Sequence, residues 1–135
     1  SALAKKYVQE QETDLVLSWM DDAELIGTSL ITRAELAAAL ARAIKLKRLP
    51  ASGAQQTLAD FRSDWKDYQR ISIDESLVAR ADALACEYSL RGYDAVHLAC
   101  ALTWQEALRA PVTLATFDSQ LRDAAKQAGL ETLPE

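Results

Sequence analysis

Residues 112–133, VTLATFDSQLRDAAKQAGLETL, place a short β-branched run, an amphipathic stretch and a second short run in succession. VTLAT at 112–116 and LETL at 130–133 are too short for helices, whereas 118–128 repeats its apolar positions at helical spacing. Gly129 is a natural residue just past a helix end, where the backbone turns left-handed. Strand, helix, strand in that order is how two parallel neighbours are joined. The alternation extends upstream, with ELIGTS at 24–29 and RISI at 70–73 as further short runs. Helical periodicity marks 2–10, 14–21, 32–48, 53–68, 75–89 and 93–108. Leu49-Pro50 and Ala110-Pro111 stop two of the long helices. The expected fold class is therefore α/β, with parallel strands and crossover helices.

At 135 residues, half of them hydrophobic, the chain is long enough for one core, and a single domain over 1–135 is expected. A formal net charge of -5 argues against a protein that coats nucleic acid with a basic surface. Any nucleic-acid role must then be local or carried by a cation. Two cysteines, Cys86 and Cys100, and one histidine, His97, exclude an ordinary zinc site. Both cysteines sit among alanines and leucines and are expected to be buried thiols of a reducing compartment. No apolar run approaches the roughly 18 residues of a membrane span, and no signal-peptide pattern opens the chain, so a cytoplasmic protein without a membrane partner is expected.

In open parallel sheets ligands bind beyond the carboxyl ends of the strands, and acids there carry interest. Glu35 falls in the first turn of the helix after ELIGTSLIT, although Thr32 to Glu35 also reads as a capping box. Asp118 follows VTLAT and opens the last helix, where a cap is the simpler reading. Asp94 lies in the first turn of 93–108, a helix apolar nearly all round and so expected to be buried. An acid at the mouth of a buried helix costs desolvation unless it is capped, paired or bound to a cation. Carboxylates that cluster and stay ionised suit a hard cation such as Mg²⁺ or Mn²⁺, and without histidine or cysteine ligands they point toward phosphate-ester chemistry.

Three segments carry a family likeness: TSLITRAELAAAL at 28–40, LRGYDAVHLACAL at 90–102 and TFDSQLRDAA at 116–125. In that order and spacing they resemble the internal motifs of PIN-domain ribonucleases, with the VapC-type toxins of bacterial toxin-antitoxin pairs as the nearest likeness. The resemblance implies a three-layer α/β fold around a central parallel sheet of order 3-2-1-4-5. It also implies a divalent-metal-dependent endoribonuclease that hydrolyses RNA phosphodiesters with a metal-activated water. Glu35, Asp94 and Asp118 would be acidic members of the Mg²⁺ or Mn²⁺ site, with Thr116 a polar neighbour of metal or phosphate. A cognate antitoxin would cover the site, and homodimers are the family habit. Such domains begin with an apolar strand ending in an aspartate, whereas this chain opens Ser1-Ala2-Leu3. The first strand is thus absent from the sequence, and an aspartate two positions ahead of Ser1 is expected in the natural polypeptide.

Arg33 and Arg91 adjoin candidate acids and would either pair with them or meet an RNA phosphate. His97, one turn beyond Asp94, is expected to partner that acid or a backbone carbonyl rather than to form a nucleophilic pair with Cys100. Arg42, Lys45, Lys47 and Arg48 suit a helix C-terminus. Trp65 and Tyr68, one turn apart, are expected in the core. Two rivals stand beside the ribonuclease reading: a catalytically incomplete PIN-fold module that binds protein or RNA, and a phosphatase or DNA nuclease using the same acids.

Overall fold

The computed structural model of the protein describes residues 2–8 and 11–135. It divides into two compact units, one of Ser1–Ile26 and Leu30–Gln69, the other of Gly27–Ser29 and Arg70–Glu135.

The first unit is helical: α1 (Ala4–Tyr7), α2 (Thr13–Asp22), α3 (Thr32–Lys45), α4 (Ala51–Asp64) and a 3-10 turn at Trp65–Asp67. Of the helix expected over 2–10 one turn is found, and positions 9 and 10 lie outside the described residues. Leu36 and Leu40, four apart on α3, face the core with Ala54, Phe61, Trp65 and Tyr68. Phe61 is fully buried and meets the Tyr7 and Trp65 rings, each with its centroid 5.3 Å away. Trp65 and Tyr68 are thus core residues, as their spacing suggests. A polar cluster closes this core. Asp64 Oδ2 accepts from Lys6 Nζ at 2.8 Å and from the Tyr7 hydroxyl at 2.9 Å, while the Tyr7 and Tyr68 hydroxyls bond each other. Burial, then the bonds to Tyr68 and Asp64, push the Tyr7 hydroxyl well above the usual tyrosine range, so it stays a donor. The helix expected over 32–48 ends at Lys45. Lys47 turns left-handed (φ 54°), and the Arg48 amide reaches back to the Ala43 carbonyl at 2.9 Å.

The second unit holds β1 (Gly27–Ser29), all but the first residue of β2 (Gln69–Ile71), α5 (Glu75–Tyr88), α6 (Gly92–Leu108), β3 (Thr113–Ala115), α7 (Ser119–Gln127) and β4 (Glu131–Leu133). β1 neighbours β2, and β3 runs parallel to β4 with Thr113 opposite Glu131 and Ala115 opposite Leu133. The mixed α/β class is that of the sequence reading, with shorter strands. Leu77, Ala81 and Leu84 make the buried stripe of α5, packed on an α6 whose Leu98 and Ala99 have no exposed surface. Arg80 clamps the two helices with a bidentate pair to Glu106, at 2.7 and 2.8 Å. Gly27 lets β1 approach α6, because a Cβ there would stand 2.5 Å from Trp104 Cζ3. Ser89 (φ 54°) and Gly129 (φ 91°) end α5 and α7, with the following amides bonded back to Ala85 and Ala125.

One expectation is corrected here. Cys100 is buried, and burial pushes its thiol up, but Cys86 is exposed. It lies two residues past Leu84, on the face of α5 opposite the buried stripe. Among the described residues no helix is long and apolar enough to cross a membrane.

Candidate active site

Two of the three candidate acids come together in the second unit, each at the start of a helix. Asp118 directly precedes α7 and is its N-cap, with Oδ1 accepting the Leu121 amide at 2.9 Å. The capping reading is therefore right, and it uses only one of the two carboxylate oxygens. Thr116, buried at the end of β3, braces this turn by accepting the Asp118 amide on Oγ1 at 3.2 Å. That arrangement favours Thr116 as a positioning residue for Asp118 over a direct phosphate contact.

Asp94 is not a cap. Residue Arg91 holds the N-cap position of α6 in extended geometry, without a side-chain cap bond, and Asp94 stands three residues on, inside the first turn. Its side chain is only 18% exposed, because α6 descends into the core immediately after it.

The second oxygen of each acid points to one cation. Arg91 donates from Nε to Asp94 Oδ2 at 2.7 Å and from an Nη to Asp118 Oδ2 at 3.0 Å. Asp94 first, and Asp118 after it, hold the guanidinium still more firmly protonated. The guanidinium itself lies on the outside, 73% exposed. Two carboxylates 24 residues apart in sequence thus converge on a single positive group.

That convergence tests whether a hard divalent cation suits the site. Mg²⁺ takes one or two carboxylates and keeps several waters, and the donors here are oxygens only. Asp94 and Asp118 supply oxygen donors of that kind, and both lie within reach of one guanidinium. Among the described residues no group of three or more His, Cys, Asp or Glu side chains is gathered as a metal site.

Glu35, the third candidate, stands half-buried in the first turn of α3, in the first unit. The capping box expected with it has its N-cap one residue earlier than Thr32. Ile31 occupies the N-cap position in helical geometry (φ -66°, ψ -22°), so Thr32 is the first residue of the helix. Arg33 is exposed beside it. His97 lies half-buried on α6. The bridging role of Arg91 is the feature that the sequence leaves open. Spacing shows its nearness to Asp94, three residues away, but gives no sign of Asp118.

Comparison with known proteins finds likeness over nearly the whole chain. The family model described as PIN domain matches residues 2–127. The chain is 32% identical over 139 residues to Ribonuclease VapC49 of Mycobacterium tuberculosis (strain ATCC 25618 / H37Rv), covering 99% of this chain and 91% of that protein. It is 35% identical over 133 residues to Ribonuclease VapC35 of the same strain, covering 96% of this chain and 89% of the relative.

Proposed function

The chain belongs to the PIN-domain family, and on that premise we propose that it is a divalent-metal-dependent endoribonuclease, the toxin of a toxin-antitoxin pair. The observation that carries the reading is the convergence of Asp94 and Asp118 on one cation, at the amino ends of two helices. The relatives, named as VapC ribonucleases over nearly their whole length, support RNA as the substrate. Asp94 and Asp118 would hold Mg²⁺ or Mn²⁺ through their carboxylate oxygens. Bound there, such a cation supplies Lewis-acid polarisation of the phosphate and a more acidic water.

The chain's own residues do the rest. Asp118 keeps Oδ2, the oxygen that meets Arg91, aimed at the site because its other oxygen is fixed by the α7 cap and its amide by Thr116. Asp94 is held in place by a helix anchored through the buried Ala95, Leu98 and Ala99 that follow it. Arg33 and Arg91, both exposed, are cations within the acidic motifs that can meet the RNA backbone. An acidic protein gains little from long-range attraction to RNA, so these local charges carry the contact. The cognate antitoxin and a second copy of the chain are its protein partners, and the cytoplasm is its compartment.

The test is cleavage of single-stranded RNA by the full-length protein in Mg²⁺, with a chelator arm and the variants Asp94→Asn and Asp118→Asn. Cleavage in Mg²⁺ that is lost with chelator and in both variants, with melting temperatures near wild type, supports the reading. RNA bound without cleavage favours the binding module, and cleavage unaffected by either variant refutes the site.

A further inference from the structure

We propose that Arg91 is a built-in counter-ion of the acid pair, which a divalent cation must displace in order to bind. The proposal rests on the reading of Asp94 and Asp118 as metal ligands and adds a control on that site. Three observations carry it. Arg91 reaches both acids at once, on Oδ2 of each, and the other oxygen of Asp118, Oδ1, already holds the α7 cap. A cation on these two oxygens would stand beside the guanidinium and set two positive charges against each other. Arg91 also sits on the N-cap residue of α6, where its side chain does no capping, and it is 73% exposed. Leaving the pair therefore takes it into water without uncovering core or orphaning a helix amide.

The magnitude follows from that exposure. Exposed ion pairs are weak, so the guanidinium lowers the affinity for the cation several-fold, on the order of fivefold, without preventing binding. A closed pair would keep the carboxylates from repelling each other when the cation is scarce. Once displaced, the guanidinium stands free at the rim of the site.

Isothermal titration with Mn²⁺ tests this on the full-length protein without any need for activity. Four proteins are compared: wild type, Arg91→Gln, Arg122→Gln and Asp94→Asn. Arg122 lies one turn into α7 and forms no ion pair with either acid among the described residues, so its loss reports the effect of charge alone. The proposal expects Arg91→Gln to tighten Mn²⁺ binding about fivefold, with Arg122→Gln close to wild type. Affinity unchanged or weakened in Arg91→Gln overturns it, as does an equal gain in Arg122→Gln. If Asp94→Asn leaves the isotherm as it was, the site reading itself fails; if Asp94→Asn abolishes binding while Arg91→Gln matches wild type, only the counter-ion proposal fails. A second readout is the Arg91 Nε–H resonance, which should lose its protection from solvent exchange on addition of Mg²⁺.

Discussion

Asp118 has two oxygens with two tasks, and substitution separates them. In Asp118→Ala the Leu121 amide loses its 2.9 Å acceptor and α7, nine residues long, loses its N-cap. Loss of such a cap costs about 1 kcal/mol. Asp118→Asn keeps an oxygen in the same place and retains most of that stability, because asparagine caps as well as aspartate does. Both variants lose the Arg91 pair, and with 38% of the Asp118 side chain exposed that adds well under about 1 kcal/mol. For 135 residues the unfolding entropy is about 0.28 kcal/mol/K, so the cap alone corresponds to roughly 3.5 °C between the two variants. Differential scanning calorimetry reads this difference, and Mn²⁺ titration of the same samples reads the second task. The expected outcome is a split: Asp118→Ala melts about 3.5 °C below Asp118→Asn, while both bind the cation far more weakly than wild type. Two variants that melt together refute the capping account. Near-native cation affinity in Asp118→Asn makes Asp118 a cap and nothing more.

Other substitutions probe the frame that holds the site. Thr132 Oγ1 is buried without a hydrogen-bond partner, so Thr132→Val, which keeps the shape and removes the hydroxyl, should raise the urea midpoint by about 1 kcal/mol of stability; a loss of stability would show that the hydroxyl is satisfied. Gly27→Ala drives a methyl into the Trp104 ring and should cost about 1–3 kcal/mol, visible as a lower melting temperature and a shifted tryptophan emission; a neutral result would mean that the strand is free to move. Asp64 is held below its usual range, first by the Lys6 bond, so its contribution is complete above the ordinary carboxylate range and fades as pH falls through its lowered value. With its side chain 37% exposed the gain is below about 1 kcal/mol, and urea melts of wild type and Asp64→Asn should differ at pH 7 and converge near pH 2. Melts that differ equally at both pH values would contradict the pairing.

Much of this architecture is legible in the sequence because it is set by local rules. The apolar circumference of 93–108 announces a buried helix, and α6 is buried; Gly129 announces a helix end, and α7 ends there. The Asp118 cap is likewise a matter of three neighbouring residues. Other features depend on exact phase. A residue's partners on α5 are set by where the stripe of Leu77, Ala81 and Leu84 falls, so Cys86 is exposed although its sequence neighbours are apolar. Thr32 and Glu35 have the spacing of a capping box, but Ile31 already adopts helical angles and the box is one residue out of register. The Arg91 bridge depends on tertiary structure altogether. Its two acids belong to different helices, and only packing α6 and α7 in one unit puts a single guanidinium within reach of both.

The central claim is that Asp94 and Asp118 are joint ligands of one hard cation. Electron paramagnetic resonance of Mn²⁺ titrated into the full-length protein tests it most directly, since bound and free Mn²⁺ give different signals. The account predicts a saturable bound fraction in wild type, competed by Mg²⁺, that is lost in Asp94→Asn and in Asp118→Asn alike. A bound fraction that survives either substitution unchanged would contradict it.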